Sequence, residues 1–343
     1  MRTGLQVDAM SNLQCEVLVI CSTYNHEKYI VDALEGFVKQ QTTFPYIVLV
    51  HDDASGDRTA EHIKEYELRY PSIIKGIYDD ENQYQQGKFF WYLDYLRRST
   101  AKYIALCEGD DYWIAPNKLQ LQYEALESNQ ALSYCFTNAI QIDACTGNTI
   151  NKMLPIYPSE TSILEKKVLN TIDLLKLAFI PTASFFSRSD AWLAQPVLPK
   201  EAFHGDRAHQ IYLSLSGDAF YLDLPSCAYR INNSNSMMGA WAKSNEKLIS
   251  VLNSFIELYK CFNNDTNGIY HDAVVDAMNT KIYDTMLITG DRTLLNAEIA
   301  RTIAKRRGFG GKLKYYLFSA SPQLYLIIKK LVRYCHGKAV AND

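Results

Sequence analysis

Three carboxylates lie within four residues at the end of an apolar run. Glu108, Asp110 and Asp111 follow residues 103–107, which predict a buried strand. Like charges this close repel one another, and a buried carboxylate needs a partner. Oxygen ligands at this spacing suit a hard divalent cation, Mg²⁺ or Mn²⁺, that leaves other positions to phosphate oxygens. A solvated, inert acidic loop is the alternative, but the apolar strand before it and the aromatic pair after it favour a site.

Two further polar clusters come directly after apolar runs. The segment STYN (22–25) follows the first run and HDDASGD (51–57) follows the second. Ser22, Asp52 and Asp53 within them can hydrogen-bond a base and a ribose. A sequence such as DDASGD is by itself more often an ordinary turn, so its place in the sheet decides its role.

The N-terminal part of the chain alternates strand and helix patterns. Continuous apolar runs separated by helical periodicity indicate a mostly parallel sheet covered on both faces. The predicted strands are 16–22, 46–52, 73–78, 102–107 and 131–138. Ligands of such sheets bind outside the carboxyl ends of the strands, so the three polar clusters should share one rim. Beyond residue 140 the pattern is mixed, and from about 240 it is helical, with a linker predicted at GFGG (308–311).

Charge is distributed unevenly along the 343 residues. The net charge is −3, yet residues 301–338 contain ten Lys and Arg and no Asp or Glu. A basic tail on an acidic body suggests an anionic partner surface, and its mixture of aromatic, aliphatic and basic residues suits amphipathic helices on an anionic membrane. A packed helical appendage or a dimer surface is the alternative.

The eight cysteines are scattered and include no CxxC pair. This pattern predicts reduced thiols in a cytosolic protein rather than a disulfide framework or a zinc site. No signal peptide and no spanning helix are predicted, because no apolar run approaches about 20 residues. The P-loop and GxGxxG signatures are also missing from the sequence, which argues against ATP bound in P-loop fashion or a dinucleotide.

Three segments together resemble the opening motifs of family 2 glycosyltransferases. They are VLVICSTYNHEKYIVDALEGFVKQ, VLVHDDASGDRT and KYIALCEGDDYWIAPNKLQLQ, and their order and spacing match over roughly 15–140. The resemblance implies an α/β GT-A (Rossmann-like) fold, a mostly parallel sheet flanked by helices and followed by a helical C-terminal region. It implies a catalytic domain over 1–240, with a nucleotide-binding half (15–140) and an acceptor half (141–240). A helical region (241–343) with the basic tail would follow.

The resemblance also implies a donor and a metal. Family members use nucleotide sugars, most often UDP-sugars, and invert the anomeric centre. Residues 108–110 stand where the family has its DxD metal motif, so Mn²⁺ or Mg²⁺ is the expected cofactor. Asp110 would be the principal metal ligand, with Asp111 beside it. The expected nucleotide-sugar contacts are Ser22, Thr23, Tyr24, Asn25, Asp52, Asp53, Asn82, Lys88, Glu108, Gly109, Asp110 and Arg230.

Two departures from the family pattern bear on this site. Glu108 stands where the DxD metal motif commonly has Asp, which keeps the charge with a longer reach. An Arg-x-His near the end of the catalytic domain is replaced by Arg230 and Asn232, so only the arginine can meet the diphosphate.

An inverting transfer also needs a general base on the acceptor hydroxyl. Asp206, at a predicted helix start in FHGDRAHQIYLSL, is the expected base, and His204 and His209 are weaker choices. Helix capping is the alternative role for Asp206.

These observations predict an inverting, metal-dependent hexosyltransferase of surface polysaccharide biosynthesis. Its acceptor would be a glycan or a lipid-linked sugar, without a nucleic acid partner. Its location would be cytoplasmic, with peripheral contact at the inner face of the cell membrane. Two alternatives stay open: a sugar nucleotidyltransferase, although STYNHEKY has no Gly-rich loop, and a non-catalytic carbohydrate-binding protein with a degenerate site.

Overall fold

The computed structural model describes residues 13–202, 205–232, 244–329 and 331. Its described strands form a single mixed sheet in the order β3-β2-β1-β4-β9-β6-β10-β5, with β7 added to β6 and β8 added to β10. The strands are β1 (Val17–Thr23), β2 (Tyr46–Asp52), β3 (Ile74–Tyr78), β4 (Tyr103–Leu106), β5 (Tyr112–Trp113), β6 (Leu132–Asp143), β7 (Thr149–Lys152), β8 (Val168–Leu169), β9 (Phe186–Arg188) and β10 (Asp218–Ile231).

The first four strands confirm the predicted parallel arrangement. β1 lies between β2 and β4 and is parallel to both, and β3 extends the sheet beyond β2. The fifth predicted strand, β6, does not join β4 directly. The short β9 lies between them and is antiparallel to both, so the sheet is mixed.

Helices cover the sheet and then form the C-terminal region. They are α1 (Ile30–Val38), α2 (Thr59–Arg69), α3 (Leu93–Arg98), α4 (Lys118–Glu127), α5 (Thr161–Leu164), α6 (Thr171–Lys176), α7 (Ser189–Leu193), α8 (Gly205–Leu213), α9 (Asn245–Asp265), α10 (His271–Thr289), α11 (Ala297–Arg306), α12 (Gly308–Ala320) and α13 (322–329). No helix in the described part of the chain is both long and apolar enough to cross a bilayer.

Both faces of the sheet are buried, as continuous apolar strands require. In β1, Leu18 and Ile20 belong to one hydrophobic cluster, while Val17, Val19 and Cys21 belong to the cluster on the opposite face. Alternate side chains of a strand point to opposite faces, so an unbroken apolar run fills two cores at once.

The C-terminal helices have their own apolar clusters. Residues of α8, α9 and α10 form one cluster, and residues of α10 to α13 form another. The prediction of a linker at 308–311 is wrong, because these residues form the first turn of α12. Only Gly308, with φ of +75°, marks the break from α11.

Arg207 ties α8 to the helices beside it. Its guanidinium is 4% exposed and donates to Tyr259 Oη (3.0 Å) on α9 and to the carbonyl oxygens of Leu174 and Leu175 (both 3.0 Å) on α6. A buried cation is tolerated only when its donors find such acceptors. This network fixes helix α8, whose second residue is Asp206.

Replacing Arg207 with Met should lower the free energy of unfolding by about 2–4 kcal/mol, because it leaves buried carbonyl groups without donors. Urea titration monitored by circular dichroism measures the change. The matched control is Arg97→Met, which removes an exposed arginine whose partner Asp94 is also exposed and should change stability by less than about 0.5 kcal/mol. Equal stability of the two variants would contradict the proposed role.

Candidate active site

The three polar clusters meet at one rim, as predicted from the sequence. Thr23 and Asp52 end neighbouring strands in register. The Asp53 amide donates to the Thr23 carbonyl oxygen (3.0 Å), and the Gly109 amide donates to the Ser22 carbonyl oxygen (2.9 Å). The acidic turn is therefore joined by backbone to the end of β1.

The acidic turn concentrates negative charge away from water. The Asp111 amide donates to the Glu108 carbonyl oxygen (3.1 Å), which closes the turn. Burial, followed by repulsion from Asp110, raises the pKa of Glu108 to about 8 and that of Asp111 well above its ordinary value. Asp110 is half-buried, whereas Asp111 is 4% exposed. A divalent cation at Asp110 would relieve this repulsion, so the residues present fit the predicted metal.

Gly109 allows the turn to pack tightly on β1. A Cβ at this position would lie 2.7 Å from Thr23 Cβ and 3.0 Å from His26 Nδ1, too close for any side chain. Thr23 Oγ1, His26 Nδ1 and Asp52 Oδ1 are buried and lack a hydrogen-bond partner in the described structure. Buried polar groups normally have partners, so these atoms favour a bound ligand at this rim. Sequence reasoning missed His26.

Asp53 anchors the loop that follows β3. Its two carboxylate oxygens accept from the amides of Gln83 (2.5 Å) and Tyr84 (3.1 Å). Asn82 donates from Nδ2 to the Asp53 carbonyl oxygen (3.1 Å). Asp53 and Asn82 therefore connect the end of β2 to the loop that follows β3. Their contacts with a nucleoside stay a prediction.

The remaining predicted donor residues lie around the same rim. Ser22 is exposed, and its Oγ accepts from Trp91 Nε1 (3.1 Å). Tyr24 is 42% exposed, and Asn25 accepts from the Gly56 amide (2.8 Å), which joins the two loops. Lys88 is exposed and hydrogen-bonds glutamines of its own loop. The structure thus leaves Ser22, Tyr24 and Lys88 accessible to a ligand.

A different group in the described structure also has metal-like geometry. Ligand atoms of His51, Asp53 and Asp79 lie within 4.8 Å of one another. His51 Nε2 and Asp79 Oδ2 already share a hydrogen bond (2.7 Å), and Asp53 already accepts two amides. The side chains of this group already bond one another and nearby amides, and a metal at Asp110 and Asp111 stays a prediction.

Asp206 approaches the acidic turn from the other half of the sheet. It is the second residue of α8, and its Oδ1 accepts from the Arg207 amide (2.8 Å). Burial raises its pKa, and its negative charge contributes to the raised pKa of Glu108. His209 instead donates from Nδ1 to Gln195 Oε1 (2.7 Å), and burial lowers its pKa to about 3. His204 lies outside the described residues.

Tyr229 connects the acidic turn with Asp206 and was missed by sequence reasoning. Burial raises the pKa of this phenol, and so do the charges of Asp111, Glu108, Asp206 and Asp110, in that order. It stands on β10 directly before Arg230. Carboxylates from two separate stretches of chain therefore act on this phenol.

Arg230 holds the acidic turn in place from β10. Its amide donates to Asp111 Oδ1 (2.9 Å), and its guanidinium donates to the Asp110 carbonyl oxygen. The guanidinium also pairs with Asp32 and lies 4.9 and 4.6 Å from the ring centroids of Tyr29 and Tyr112. These contacts occupy it, so its expected role at the diphosphate stays a prediction, whereas its contact with the turn is direct.

The sheet order and the acidic rim define a GT-A architecture. A mannosyltransferase from Pyrobaculum calidifontis, solved with GDP-Man and Mn²⁺, superposes with a TM-score of 0.54 at 14% identity, covering 93% of this chain and 87% of that one. The model of glycosyl transferase family 2 matches residues 18–192. The chain belongs to this family, as its three motifs predicted.

Two curated relatives are similar to part of the chain. An uncharacterized protein of Mycobacterium tuberculosis is 41% identical over 118 residues, which are 34% of this chain and 33% of that protein. The UDP-Glc:alpha-D-GlcNAc-diphosphoundecaprenol beta-1,3-glucosyltransferase of Escherichia coli is 31% identical over 122 residues, 36% of this chain and 45% of that protein. The chain thus spans about a third of the mycobacterial relative's length and under half of the other's.

Replacing Arg230 with Lys should weaken Mn²⁺ binding by about 10- to 100-fold, since supporting residues of metal sites have effects of this size. Lysine keeps the charge but cannot pair and stack as the planar guanidinium does. Asp32→Asn should act in the same direction. Calorimetric titration of Mn²⁺ into the UDP-saturated protein measures the affinity.

The matched control for Asp32→Asn is Asp94→Asn, which breaks the exposed pair with Arg97. It should leave Mn²⁺ affinity unchanged. If Arg230→Lys and Asp32→Asn bind Mn²⁺ as the unaltered protein does, the turn does not depend on this arginine.

Proposed function

We propose that the protein is an inverting, metal-dependent hexosyltransferase that moves a sugar from a nucleotide diphosphate to an acceptor hydroxyl. One observation carries the proposal: the Gly109 amide joins the acidic turn to the end of β1 (2.9 Å to the Ser22 carbonyl oxygen), beside Thr23 Oγ1 and Asp52 Oδ1, which are buried and unpartnered in the described structure. This arrangement supports a site for a metal-bound nucleotide diphosphate, and Asp206 is the proposed base.

On the donor side, residues at the rim bind and orient the nucleotide sugar. The orphaned Thr23 Oγ1 and Asp52 Oδ1 are available to the nucleoside, and the exposed Ser22, Tyr24 and Lys88 surround the same rim. Asp110 and Asp111 would hold Mn²⁺ or Mg²⁺. When bound, the ion stabilises negative charge on the departing nucleoside diphosphate.

On the acceptor side, Asp206 takes a proton. As the acceptor oxygen bonds to the anomeric carbon, the bond from that carbon to the diphosphate oxygen breaks on the opposite side. The hydroxyl proton moves to a carboxylate oxygen of Asp206, whose burial makes it a stronger base than an exposed aspartate. Arg207 fixes the helix, so the oxygen stays oriented.

The proposed classes of donor and acceptor rest on similarity to a named relative. The name of the Escherichia coli relative gives UDP-glucose as its donor and a diphosphoundecaprenol-linked sugar as its acceptor, which supports a UDP-sugar and a lipid-linked or glycan acceptor here. Surface polysaccharide biosynthesis, with peripheral contact at the inner face of the cell membrane, is the setting we propose.

Asp206→Asn should lower sugar transfer by about 10²- to 10⁴-fold, the usual contribution of a general base, while UDP and Mn²⁺ still bind. The readout is UDP release from a panel of UDP-sugars with Mn²⁺ and an acceptor, alongside calorimetric UDP binding. The control is Asp272→Asn, at the same second position of helix α10. If both variants lose activity equally, helix capping explains Asp206.

Asp110→Asn should abolish Mn²⁺-dependent UDP binding without loss of stability, because it removes a charge that repels its neighbours. Thermal unfolding and calorimetry separate the two effects. A variant with full Mn²⁺-dependent activity would contradict the metal role. Formation of UDP-sugar from UTP and a sugar phosphate by the unaltered protein would favour the nucleotidyltransferase, and binding of carbohydrate without turnover would favour the non-catalytic alternative.

A further inference from the structure

Helix α12 has two apolar faces, and only one of them is packed. Tyr315 and Phe318 are buried in the C-terminal helical cluster, at 7% and 2% exposure. Phe309, Leu313 and Tyr316 are 82%, 49% and 58% exposed. At the 100° spacing of a helix, these three fall within a sector of about 60°, on the side away from the buried pair.

The following helix carries a similar exposed row. Leu324, Ile327 and Leu331 have i, i+3, i+7 spacing and are 51%, 55% and 57% exposed. Proteins seldom expose this many large apolar side chains in one stretch without a binding role. We name these six side chains of residues 309–331 the C-terminal apolar surface.

The charged side chains of helix α12 are both positive. Lys312 and Lys314 are exposed on either side of Leu313. Residues 301–338 contain no acidic side chain, so nothing in this stretch of sequence neutralises them. Arg306 and Arg307 are not available to an anionic partner in the same way as the two lysines. They pair with Asp276 and Asp284 and so anchor the junction of α11 and α12 to α10.

A second copy of this chain would be a poor partner for this surface. In a symmetric dimer the same patch faces itself, which would bring Lys312 and Lys314 of one copy against those of the other. An anionic bilayer satisfies both features, since its acyl region accepts the apolar side chains while its headgroups neutralise the lysines, whose stems reach outward.

We propose that the C-terminal apolar surface docks the protein on an anionic lipid bilayer, with residues Phe309, Leu313 and Tyr316 entering the acyl boundary. This inference deepens the proposed function, on which its link to a membrane-borne acceptor rests. The packed inner face and the two ion pairs to α10 make the surface a fixed part of the fold, so the site and the bilayer would be held together.

The experiment measures sedimentation of the full chain with phosphatidylcholine vesicles that contain or lack phosphatidylglycerol. The unaltered protein should bind only the anionic vesicles, and binding should fall with salt. Phe309→Ser, Leu313→Ser and Tyr316→Ser together should weaken binding by at least about tenfold, since each removes apolar area that the bilayer would cover. Lys312→Gln with Lys314→Gln should weaken binding and reduce its salt dependence.

The matched control is Leu68→Ser with Val197→Ser, which removes apolar side chains that are 83% and 91% exposed elsewhere. It should bind vesicles like the unaltered protein. Failure of the unaltered protein to bind anionic vesicles overturns the proposal. The proposal is also overturned if the triple variant binds anionic vesicles as well as the unaltered protein does. If analytical ultracentrifugation shows that the triple variant has in addition lost a dimer, the surface is a dimer interface instead.

Calorimetric UDP and Mn²⁺ binding separates this proposal from the proposed function. The triple variant should bind both ligands normally. If the unaltered protein binds vesicles but transfers no sugar, the proposed function is refuted and the docking surface stands. If it transfers sugar but binds no vesicles, the docking surface is refuted and the proposed function stands.

Discussion

Mutual repulsion among Glu108, Asp110 and Asp111 is the constraint on which the rest of the site depends. Two of these carboxyl groups have raised pKa values because they are buried beside other negative charges. The fold offsets part of this cost with the Arg230 amide at Asp111 and the Arg230 guanidinium at the turn. We propose that a cation and a diphosphate offset the rest. The acidic turn would then be both an energetic cost to the fold and the means of binding.

The mixed sheet explains how distant residues reach this turn. The parallel strands β1, β2 and β4 carry one side of the rim, whereas β10 crosses the other half of the sheet and brings Tyr229 and Arg230 to the turn. Helix α8 then adds Asp206, the proposed base, held by the buried Arg207. Asp206 and the acidic turn thus come from different halves of one continuous sheet, so their spacing is set by packing rather than by a loop.

Local patterns predicted much of this, and non-local packing accounts for what they missed. The strand before Glu108 and its parallel pairing with β1 follow from unbroken apolar runs. The insertion of β9 between β4 and β6 could not be predicted, because the order of strands depends on non-local pairing. Tyr229 lies in an ordinary strand pattern, and only the fold places it among carboxylates.

The burial of Lys118 could not be predicted either, because it begins a polar helix turn. Its side chain is nevertheless fully buried over the Trp113 ring, and burial lowers its pKa to about 8.

The central claim is that the acidic turn after β4 holds the metal that the diphosphate shares. Anomalous diffraction from crystals grown with Mn²⁺ and UDP tests it most directly, because manganese is located independently of any assumed ligand. We expect the manganese peak at the Asp110 carboxylate, bridged to the UDP diphosphate, with the uracil end toward Thr23 and Asp52. A peak at His51, Asp53 and Asp79 instead, with the acidic turn free of metal and nucleotide, would contradict the account.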